Sequence, residues 1–347
     1  MNGGCSFFIK PIYNMFEKVS PSHPDKLADR IAGAIVDLAY TKAKNPRIAT
    51  EVLLGHGECN IQVETSEQIS AEDIEAIVER IAGEDFETRA LIVPQDSHLA
   101  ANQRQGVRCG DNGIFKGVPP THEQKLLTAI AASIYGQLPF DGKYIIQMTK
   151  CRDGVGTPLE CYTEYFPELT ICQSNATEDE IYAILDKFFE DPKTLAWWHK
   201  LEPQNDDQPC MGYMANINPL GEWTGGPNTD SGATNRKLGS DMGDGVTGGG
   251  LMGKDLSKCD VSVNIVCFLK AVHSGQVVTA ICSIGDENVT FQYAGGKTET
   301  ETFADVVEQA RLYVLTDCGS FEKFSEWGLL RPLATTLRVS ESGHKLA

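Results

Sequence analysis

The sequence predicts an α+β fold of three similar α/β units, each with a mixed or antiparallel sheet and helices on one face. Segments with helical periodicity alternate with strand-like segments along most of the 347 residues. Several strand-like segments also follow one another without a helix between them, which favours antiparallel or mixed sheets over one parallel sheet. We therefore expect three domains, over residues 1–106, 107–224 and 225–347.

Helices are predicted from apolar residues that recur every three or four positions and from capping boxes at Ser70–Asp73 and Thr177–Glu180. The expected helices are the two segments that follow these boxes and residues 25–43, 121–135 and 303–315. Apolar or alternating runs predict strands at residues 48–54, 61–65, 91–93, 143–149, 261–268, 277–283 and 289–293. Polar residues without periodicity predict loops at 95–113 and 202–250, and residues 95–109 have the composition of a lid.

The charge balance excludes some classes of partner. The chain has 48 acidic and 30 basic residues and a formal net charge of −18, which argues against nucleic acid or an anionic membrane as the main partner. A small anionic ligand remains compatible, because charges beyond about 8 Å are largely screened and local cations decide its binding. The 11 cysteines form no CxxC pair, so we expect free thiols and a cytoplasmic location. No apolar run is as long as a membrane-spanning helix.

A glycine-rich, cationic segment is the most informative part of the chain. It comprises Asn228–Lys237 (NTDSGATNRK) and Gly248–Asp260 (GGGLMGKDLSKCD). Glycines allow the backbone to approach a ligand closely, and irregularly spaced lysines and arginines can converge on phosphate oxygens. The segment therefore predicts a polyphosphate site, with Asp260 as a candidate metal ligand. The alternative is a solvated loop without a ligand.

A second polar cluster, His23–Asp29 (HPDKLAD), stands where the first helix is expected to begin. A helix N-terminus favours bound anions, and Pro24 suits the first turn. His23 and Lys26 could therefore face phosphate while Asp25 holds a hard cation through oxygen. In the alternative reading, Asp25 is only a helix-start charge and His23 an exposed turn residue.

Several isolated polar residues are weaker candidates. Glu51 and Glu64 lie in predicted strands, where alternation could send either one to solvent. Asp111 lies in the run Gly-Asp-Asn-Gly, which is a common turn sequence. Lys143 follows Asp141-Gly at the start of a strand and could be an ordinary edge residue.

Taken in order, these motifs resemble those of the S-adenosylmethionine synthetases, also called methionine adenosyltransferases. The resemblance covers residues 18–295 in patches, and its strongest parts are His23–Asp29 and Gly253–Asp260. It implies the fold of that family. It also implies that methionine sulfur attacks the ribose C5′ of ATP, displacing tripolyphosphate that is then hydrolysed to pyrophosphate and phosphate. ATP and L-methionine would be the substrates, Mg²⁺ and K⁺ the cofactors, and a homodimer or homotetramer with shared active sites the assembly.

The resemblance also implies roles for individual residues. His23 matches a histidine near the triphosphate, Asp25 and Asp260 match magnesium ligands, and Glu51 matches a potassium-site glutamate. Cations that match phosphate contacts are Lys143, Arg236, Lys237 and Lys254. Positions that match the methionine site are Glu64, Gln95, Asp111, Asp230 and Lys258. Residues on the ATP side also include Asp141, Asp230 and Trp223, the last of which could stack on adenine.

Two departures from the family pattern leave other functions open. The family has Gly-Arg-Phe where this chain has Gly221-Glu222-Trp223. In this chain, the glycine-rich loop at Thr247–Lys254 also lacks a histidine, a serine and one residue of length that the family's loop has. The alternatives are therefore a tripolyphosphatase, an adenosyltransferase for another thioether, or a catalytically silent nucleotide-binding regulatory relative.

Overall fold

The structure is a computed structural model that describes residues 15–96, 106–150, 165–192, 194 and 212–332. In chain order, its strands are β1 (Met15–Val19), β2 (Ile48–Gly55), β3 (Glu58–Thr65), β4 (Glu87–Pro94), β5 (Gly113–Gly117), β6 (Gly142–Lys150), β7 (Tyr165–Gln173), β8 (Met214–Ile217), β9 (Gly232–Ala233), β10 (Val278–Cys282), β11 (Asn288–Tyr293) and β12 (Thr298–Thr302). The helices are α1 (Pro24–Lys42), α2 (Ala71–Ala82), α3 (His122–Tyr135), α4 (Glu178–Glu190), α5 (Leu238–Met242), α6 (Cys259–Ser274), α7 (Phe303–Leu312) and α8 (Phe321–Trp327).

The described strands form three four-stranded sheets, in the orders β9-β2-β3-β4, β1-β6-β7-β8 and β5-β10-β11-β12. Helices α1 and α2 pack on the first sheet, α3 on the second, and α6 and α7 on the third. Helix α4 packs against α3, and its Tyr182 hydroxyl donates to the carbonyl of Ala215 in β8. Because each sheet is paired with two helices, the α+β class with three similar units is confirmed.

One strand of each sheet comes from a distant part of the chain. Strand β9 pairs with β2, β1 pairs with β6, and β5 pairs with β10, all antiparallel. Each of these three strands therefore lies outside the predicted range that contains the rest of its sheet. The ranges 1–106, 107–224 and 225–347 themselves stay a prediction.

The third unit differs from the other two in its last strand. Strands β4 and β8 run parallel to their neighbours β3 and β7 and are reached through a helix. Strand β12 instead runs antiparallel to β11 after a short turn, so that α7 follows the sheet. A parallel neighbour needs a crossover connection, whereas an antiparallel one needs only a turn.

Each sheet has one buried and one exposed face, as strand alternation requires. In β3, residues alternate strictly between exposed and buried from Glu58 to Thr65. The exposed faces nonetheless include large apolar side chains: Met15, Leu53, Leu91, Ile114, Ile145, Met214 and Ile281. Exposed apolar side chains on a sheet face are a feature of surfaces that contact another chain.

The strand predicted at residues 261–268 is wrong, because this segment lies inside the helix α6. Every residue from Cys259 to Phe268 is buried, so the helix has no polar face to reveal its period. Its four β-branched residues in this run then gave the sequence the composition of a buried strand. Strand β5 packs directly against α6: a Cβ added to Gly117 would lie 2.0 Å from the carbonyl oxygen of Cys267.

The remaining predicted helices and strands are confirmed, with shifted ends. Both capping boxes form, at Ser70–Asp73 and at Thr177–Glu180. The predicted helix 303–315 is α-helical only to Leu312 and continues as a π-helical turn over Tyr313–Cys318. The strands β1, β5, β7, β8, β9 and β12 and the helices α5 and α8 were not predicted from the sequence. The predicted loop at 202–250 is wrong where it contains β8, β9 and α5. Within the described residues, none of the helices has the length and apolar character needed to cross a membrane.

Candidate functional site

His23 is the N-cap of α1 and is almost fully buried. Its Nδ1 accepts a hydrogen bond from the backbone N–H of Asp25, at 3.1 Å. Burial, followed by the nearby cations Lys143 and Lys237, lowers the pKa of His23 to about 3. The imidazole is therefore neutral, with its proton on Nε2, and Nε2 has no hydrogen-bond partner among the described residues. A neutral N–H donor is thus available to a ligand at this position.

Asp25 lies two residues further on, in the first turn of α1, and joins this helix to the cationic segment. Its Oδ1 accepts from the backbone N–H of Ala233 at 2.9 Å and lies 3.1 Å from Nε of Arg236. Its Oδ2 lies 3.3 Å from Nζ of Lys237. The carboxylate has no exposed surface, whereas about half of the Arg236 side chain is exposed. The carboxylate of Asp25 therefore joins the first turn of α1 to Arg236 and Lys237.

The start of β6 contributes Asp141 and Lys143 to the same side of α1. The Oδ2 of Asp141 accepts from the backbone N–H of Gly226 at 2.7 Å, and its buried Oδ1 has no partner among the described residues. Burial raises the pKa of Asp141 to about 6. The ammonium of Lys143 lies 3.6 Å from Oδ2 of Asp230 and 5.7 Å from the centre of the Trp223 ring.

Trp223 and Asp230 flank the Gly225-Gly226 turn. Asp230 accepts from the backbone N–H of Ser231 at 2.9 Å. Partial burial alone would raise the pKa of Asp230, but this hydrogen bond and the charge of Lys143 lower it. Asp230 is therefore an ionised carboxylate next to a lysine and an aromatic ring. Glu222 is exposed beside Trp223, at the position where the related family has arginine.

A second charged group forms at the N-terminus of α6. Nζ of Lys254 lies 2.9 Å from Oδ2 of Asp260, and a Cβ at Gly249 would lie 2.3 Å from Oδ1 of the same aspartate. The glycine-rich loop therefore passes directly over Asp260. Lys258 is the N-cap residue of α6, and its ammonium has no hydrogen bond or ion pair with another described residue.

A magnesium ion is compatible with this donor set. Mg²⁺ usually binds one or two carboxylates together with water and substrate phosphate, and Oδ2 of Asp25 is a buried oxygen without a hydrogen-bond partner among the described residues. In the described part of the chain, no three histidine, cysteine, aspartate or glutamate side chains gather as a metal-ligand group. Asp25 is therefore an oxygen donor that could hold the ion together with phosphate oxygens, and Asp260 is a second carboxylate, at the start of α6.

Among the described residues, the other predicted side chains make no hydrogen bond or ion pair with the charged side chains of these two groups. Glu51 and Glu64 are exposed on β2 and β3, and the hydroxyl of Thr234 donates to Glu51. They lie on the outer face of the first sheet, where a depression of about 670 Å³ runs across β9, β2, β3 and β4.

Gln95 follows β4, and its buried Oε1 has no partner among the described residues. Asp111 is exposed, and its carbonyl oxygen accepts from the thiol of Cys259. Of the predicted lid, residues 97–105 lie outside the described residues.

A buried ionic cluster of Lys26, Asp29 and Asp241 connects α1 to α5. Nζ of Lys26 donates to Asp29 at 3.0 Å and to both oxygens of Asp241, at 2.7 and 2.8 Å. Burial alone would lower the pKa of Lys26, but the two aspartates raise it, so the lysine stays charged. Lys18 donates to the carbonyls of Ser240, Trp327 and Leu330, and burial lowers its pKa to about 7. Lys26 is thus a structural cation, which differs from the suggestion that it could face phosphate.

Sequence reasoning missed Asn235, which contacts both charged segments. Its backbone N–H donates to Oδ1 of Asp29 at 2.8 Å, and its side chain binds the glycine-rich loop. In the sequence, its only signal is its place between Thr234 and Arg236. In the structure, its φ of +62° suits asparagine better than most other side chains.

Comparisons with known proteins agree with this architecture. The S-adenosylmethionine synthetase N-terminal domain family matches residues 12–91. The S-adenosylmethionine synthase of Helicobacter hepaticus is 27% identical, with 91% of this chain and 89% of that protein covered. The synthase of Wolinella succinogenes is 26% identical over the same shares of both chains. The solved structure of an unusual S-adenosylmethionine synthetase from Campylobacter jejuni superposes with a TM-score of 0.67 at 19% identity, covering 91% of this chain and 94% of that one.

The fold and the matches together define an α+β protein built from three sheet-and-helix units, with a charged site at the first turn of α1. The chain is similar to S-adenosylmethionine synthetases: residues 12–91 match the N-terminal domain of that family, and relatives of low identity align along most of the chain.

Proposed function

We propose that the protein makes S-adenosylmethionine from ATP and L-methionine. The observation that supports this most is the convergence of Lys143, Arg236 and Lys237 on the neutral donor His23 and the buried carboxylate Asp25. Such a set can bind a polyphosphate while keeping a hydrogen-bond donor and a metal ligand within its reach. The names of the relatives supply the substrates.

The chemistry needs positioning and charge stabilisation more than proton transfer. A thioether sulfur has no proton, so its attack on C5′ requires no general base. Sulfur must lie in line with the C5′–O bond while negative charge grows on the departing tripolyphosphate. Lysine and arginine side chains and the Nε2–H of His23 stabilise that charge, since they are already oriented before the reaction. Bound Mg²⁺, held by Asp25 and Asp260, would supply additional charge neutralisation.

The other predicted roles extend this proposal. Trp223 stacks on adenine, and Asp141 and Asp230 bind the nucleoside side of ATP. Glu64, Gln95, Asp111 and Lys258 surround methionine. Lys254 contacts the triphosphate, which the same cations hold while water cleaves it to pyrophosphate and phosphate. Glu51 binds K⁺ at the outer face of the first sheet.

A homodimer or homotetramer with shared active sites is part of the same proposal. Glu51 and Glu64 lie on an exposed sheet face with Leu53 and Leu91. A second copy seated on this face would cover the apolar side chains and add its own residues to the site.

Glu222 supports a second candidate. It is an exposed carboxylate next to Trp223, where the related family has a cation, so the nucleoside end of the site has different charge. An adenosyltransferase for another thioether, or a tripolyphosphatase, would retain the phosphate cations and change this end. A regulatory subunit without catalysis would retain nucleotide binding alone.

One assay separates these functions. The purified protein is incubated with ATP, Mg²⁺ and K⁺, with and without methionine, and products are followed by chromatography. We expect S-adenosylmethionine and pyrophosphate that depend on methionine. Phosphate released from added tripolyphosphate without a sulfonium product would replace our proposal with a tripolyphosphatase. Nucleotide binding without turnover would replace it with the regulatory function.

A further inference from the structure

Asn235 stands where the chain leaves strand β9 and enters the cationic pair Arg236-Lys237. Its backbone is held from α1, because its N–H donates to Oδ1 of the buried Asp29 at 2.8 Å. Asp29 is in turn fixed by Lys26, at 3.0 Å. The φ of Asn235 is +62°, a left-handed conformation that asparagine and glycine tolerate best.

The side chain of Asn235 binds the middle of the glycine-rich loop. Its Oδ1 accepts from the backbone N–H groups of Leu251 and Met252, both at 2.8 Å. Its Nδ2 lies 3.3 Å from the carbonyl oxygen of Met252, as a donor. Leu251 and Met252 are buried, so without this amide two buried N–H groups would lose their acceptor, which is costly.

The loop is shaped around this side chain. A Cβ at Gly250 would lie 2.5 Å from Nδ2 of Asn235, so only glycine leaves room for the amide. Lys254 follows Met252 by two residues and pairs with Asp260. One amide therefore connects the segment that contains Arg236 and Lys237 to the segment that contains Lys254.

We propose that Asn235 is a positioning residue for the polyphosphate site, which fixes the glycine-rich loop and Lys254 relative to Arg236 and Lys237. The inference rests on the proposed function for its ligand and on the hydrogen bonds above for its geometry. Glycine at this position would satisfy the backbone conformation but leave the loop without its acceptor. Aspartate would retain the acceptor, lose the Nδ2 donor and add a negative charge.

The test compares Asn235→Gly with Asn235→Asp, and uses Asn175→Gly as the matched control. Asn175 also has a left-handed φ, of +52°, and lies in the turn before α4. Tripolyphosphate with Mg²⁺ is the probe, and its binding to the whole protein is measured by calorimetry. We expect Asn235→Gly to weaken binding at least roughly tenfold, since buried hydrogen bonds are lost. Asn235→Asp should recover part of the affinity, because it keeps the acceptor for the loop but its charge repels the polyphosphate. Asn175→Gly should bind like the unchanged protein.

Two further measurements separate positioning from general loss of structure. Hydrogen exchange at the amides of Leu251 and Met252 should accelerate in Asn235→Gly and remain slow in Asn235→Asp. The KM for ATP should rise in Asn235→Gly while the KM for methionine changes little. Unchanged exchange and unchanged tripolyphosphate affinity in Asn235→Gly would overturn the inference. If the unchanged protein binds no tripolyphosphate, the proposed function is overturned instead. Hydrogen exchange at Leu251 and Met252 would then still test whether Asn235 holds the loop.

Discussion

Lys258 is a charged residue whose ammonium group takes no part in the polar contacts of the described fold. Its ammonium makes no hydrogen bond or ion pair with another described residue, although the residue lies at the first turn of the buried helix α6. Contacts with the described core therefore do not require this charge, which agrees with its proposed role next to a ligand.

We predict that Lys258→Ala lowers kcat/KM for S-adenosylmethionine formation by about a hundredfold or more, because a preoriented cation at the reacting groups is lost. The melting temperature should change by less than about 2 °C, since truncation of an unpaired side chain costs little. Lys187→Ala, at an exposed position on α4, is the control and should leave both quantities unchanged. A near-normal rate for Lys258→Ala would remove this lysine from the site.

The depressed pKa of His23 predicts a specific pH dependence of stability. The folded value of about 3 lies below the ordinary value of 6.5, so between these two pH values the unfolded chain binds a proton that the folded chain does not. Stability due to His23 is therefore present above pH 6.5 and is lost as pH falls toward 3. From pH 7.5 to pH 5, this one group should cost about 2 kcal/mol.

The measurement is the free energy of unfolding in urea at pH 7.5 and pH 5, for the unchanged protein and for His23→Gln. Glutamine does not titrate, so the variant should lose about 2 kcal/mol less over this interval. Equal losses in the two proteins would mean that His23 is protonated in the folded state. The argument for a neutral donor next to the triphosphate would then fail.

Among the elements, α6 and β5 depend most on one close contact. The strand passes so near the helix that a Cβ at Gly117 would meet the carbonyl of Cys267 at 2.0 Å. Neither backbone can move without disturbing the third sheet, since β5 pairs with β10 along its whole length.

We predict that Gly117→Ala destabilises the protein by about 3 kcal/mol, as overpacking against fixed backbone does. Gly239→Ala is the matched control: it lies in the short helix α5 and a Cβ there would meet nothing within 4 Å. It should be neutral or slightly stabilising. Thermal unfolding of both variants gives the comparison, and equal melting temperatures would show that β5 can shift away from α6.

Several elements that are defined by contacts between residues close in sequence were predicted correctly. The capping boxes at Ser70 and Thr177 define helix starts because the bonds they make span only three residues. Helix α6 was mistaken for a strand because burial on all sides removes the polar face that shows a helical period. Strands β1, β5 and β9 were missed because their partners lie more than 100 residues away, and pairing at that distance leaves no pattern in a short segment.

The site divides in the same way. His23, Asp25, Arg236 and Lys237 were predicted because each lies in a motif of charged residues, and the structure brings these four together. Asn235 was not predicted, because its function depends on amides 16 and 17 residues further along the chain. Its neighbours in sequence say nothing about that contact.

At the scale of the whole molecule, the exposed sheet faces predict association. Leu53 and Leu91 are each more than half exposed on the outer face of the first sheet, beside Glu51. We predict that Leu53→Lys lowers the molar mass measured by light scattering from that of a dimer or tetramer, because a buried charge at an interface is costly. Leu312→Lys is the control, since Leu312 is similarly exposed on helix α7.

The control should retain the mass of the unchanged protein. If Leu53→Lys also retains it, the first sheet is not the contact surface between copies. Loss of activity that accompanies dissociation would support a site completed by residues of both copies, such as Glu51 and Glu64.

Because each sheet includes one strand from a distant part of the chain, the three sheets are completed in a fixed order during synthesis. The second sheet is the first to have all its described strands, when β8 ends at Ile217, because its edge strand β1 is made at the start. The amino-terminal sheet must wait for β9, at Gly232–Ala233, and Arg236 and Lys237 are the next charged residues to emerge. A nascent chain therefore acquires Arg236 and Lys237 only as its first sheet closes, so a fragment that ends before β9 has neither the complete first sheet nor this cationic pair.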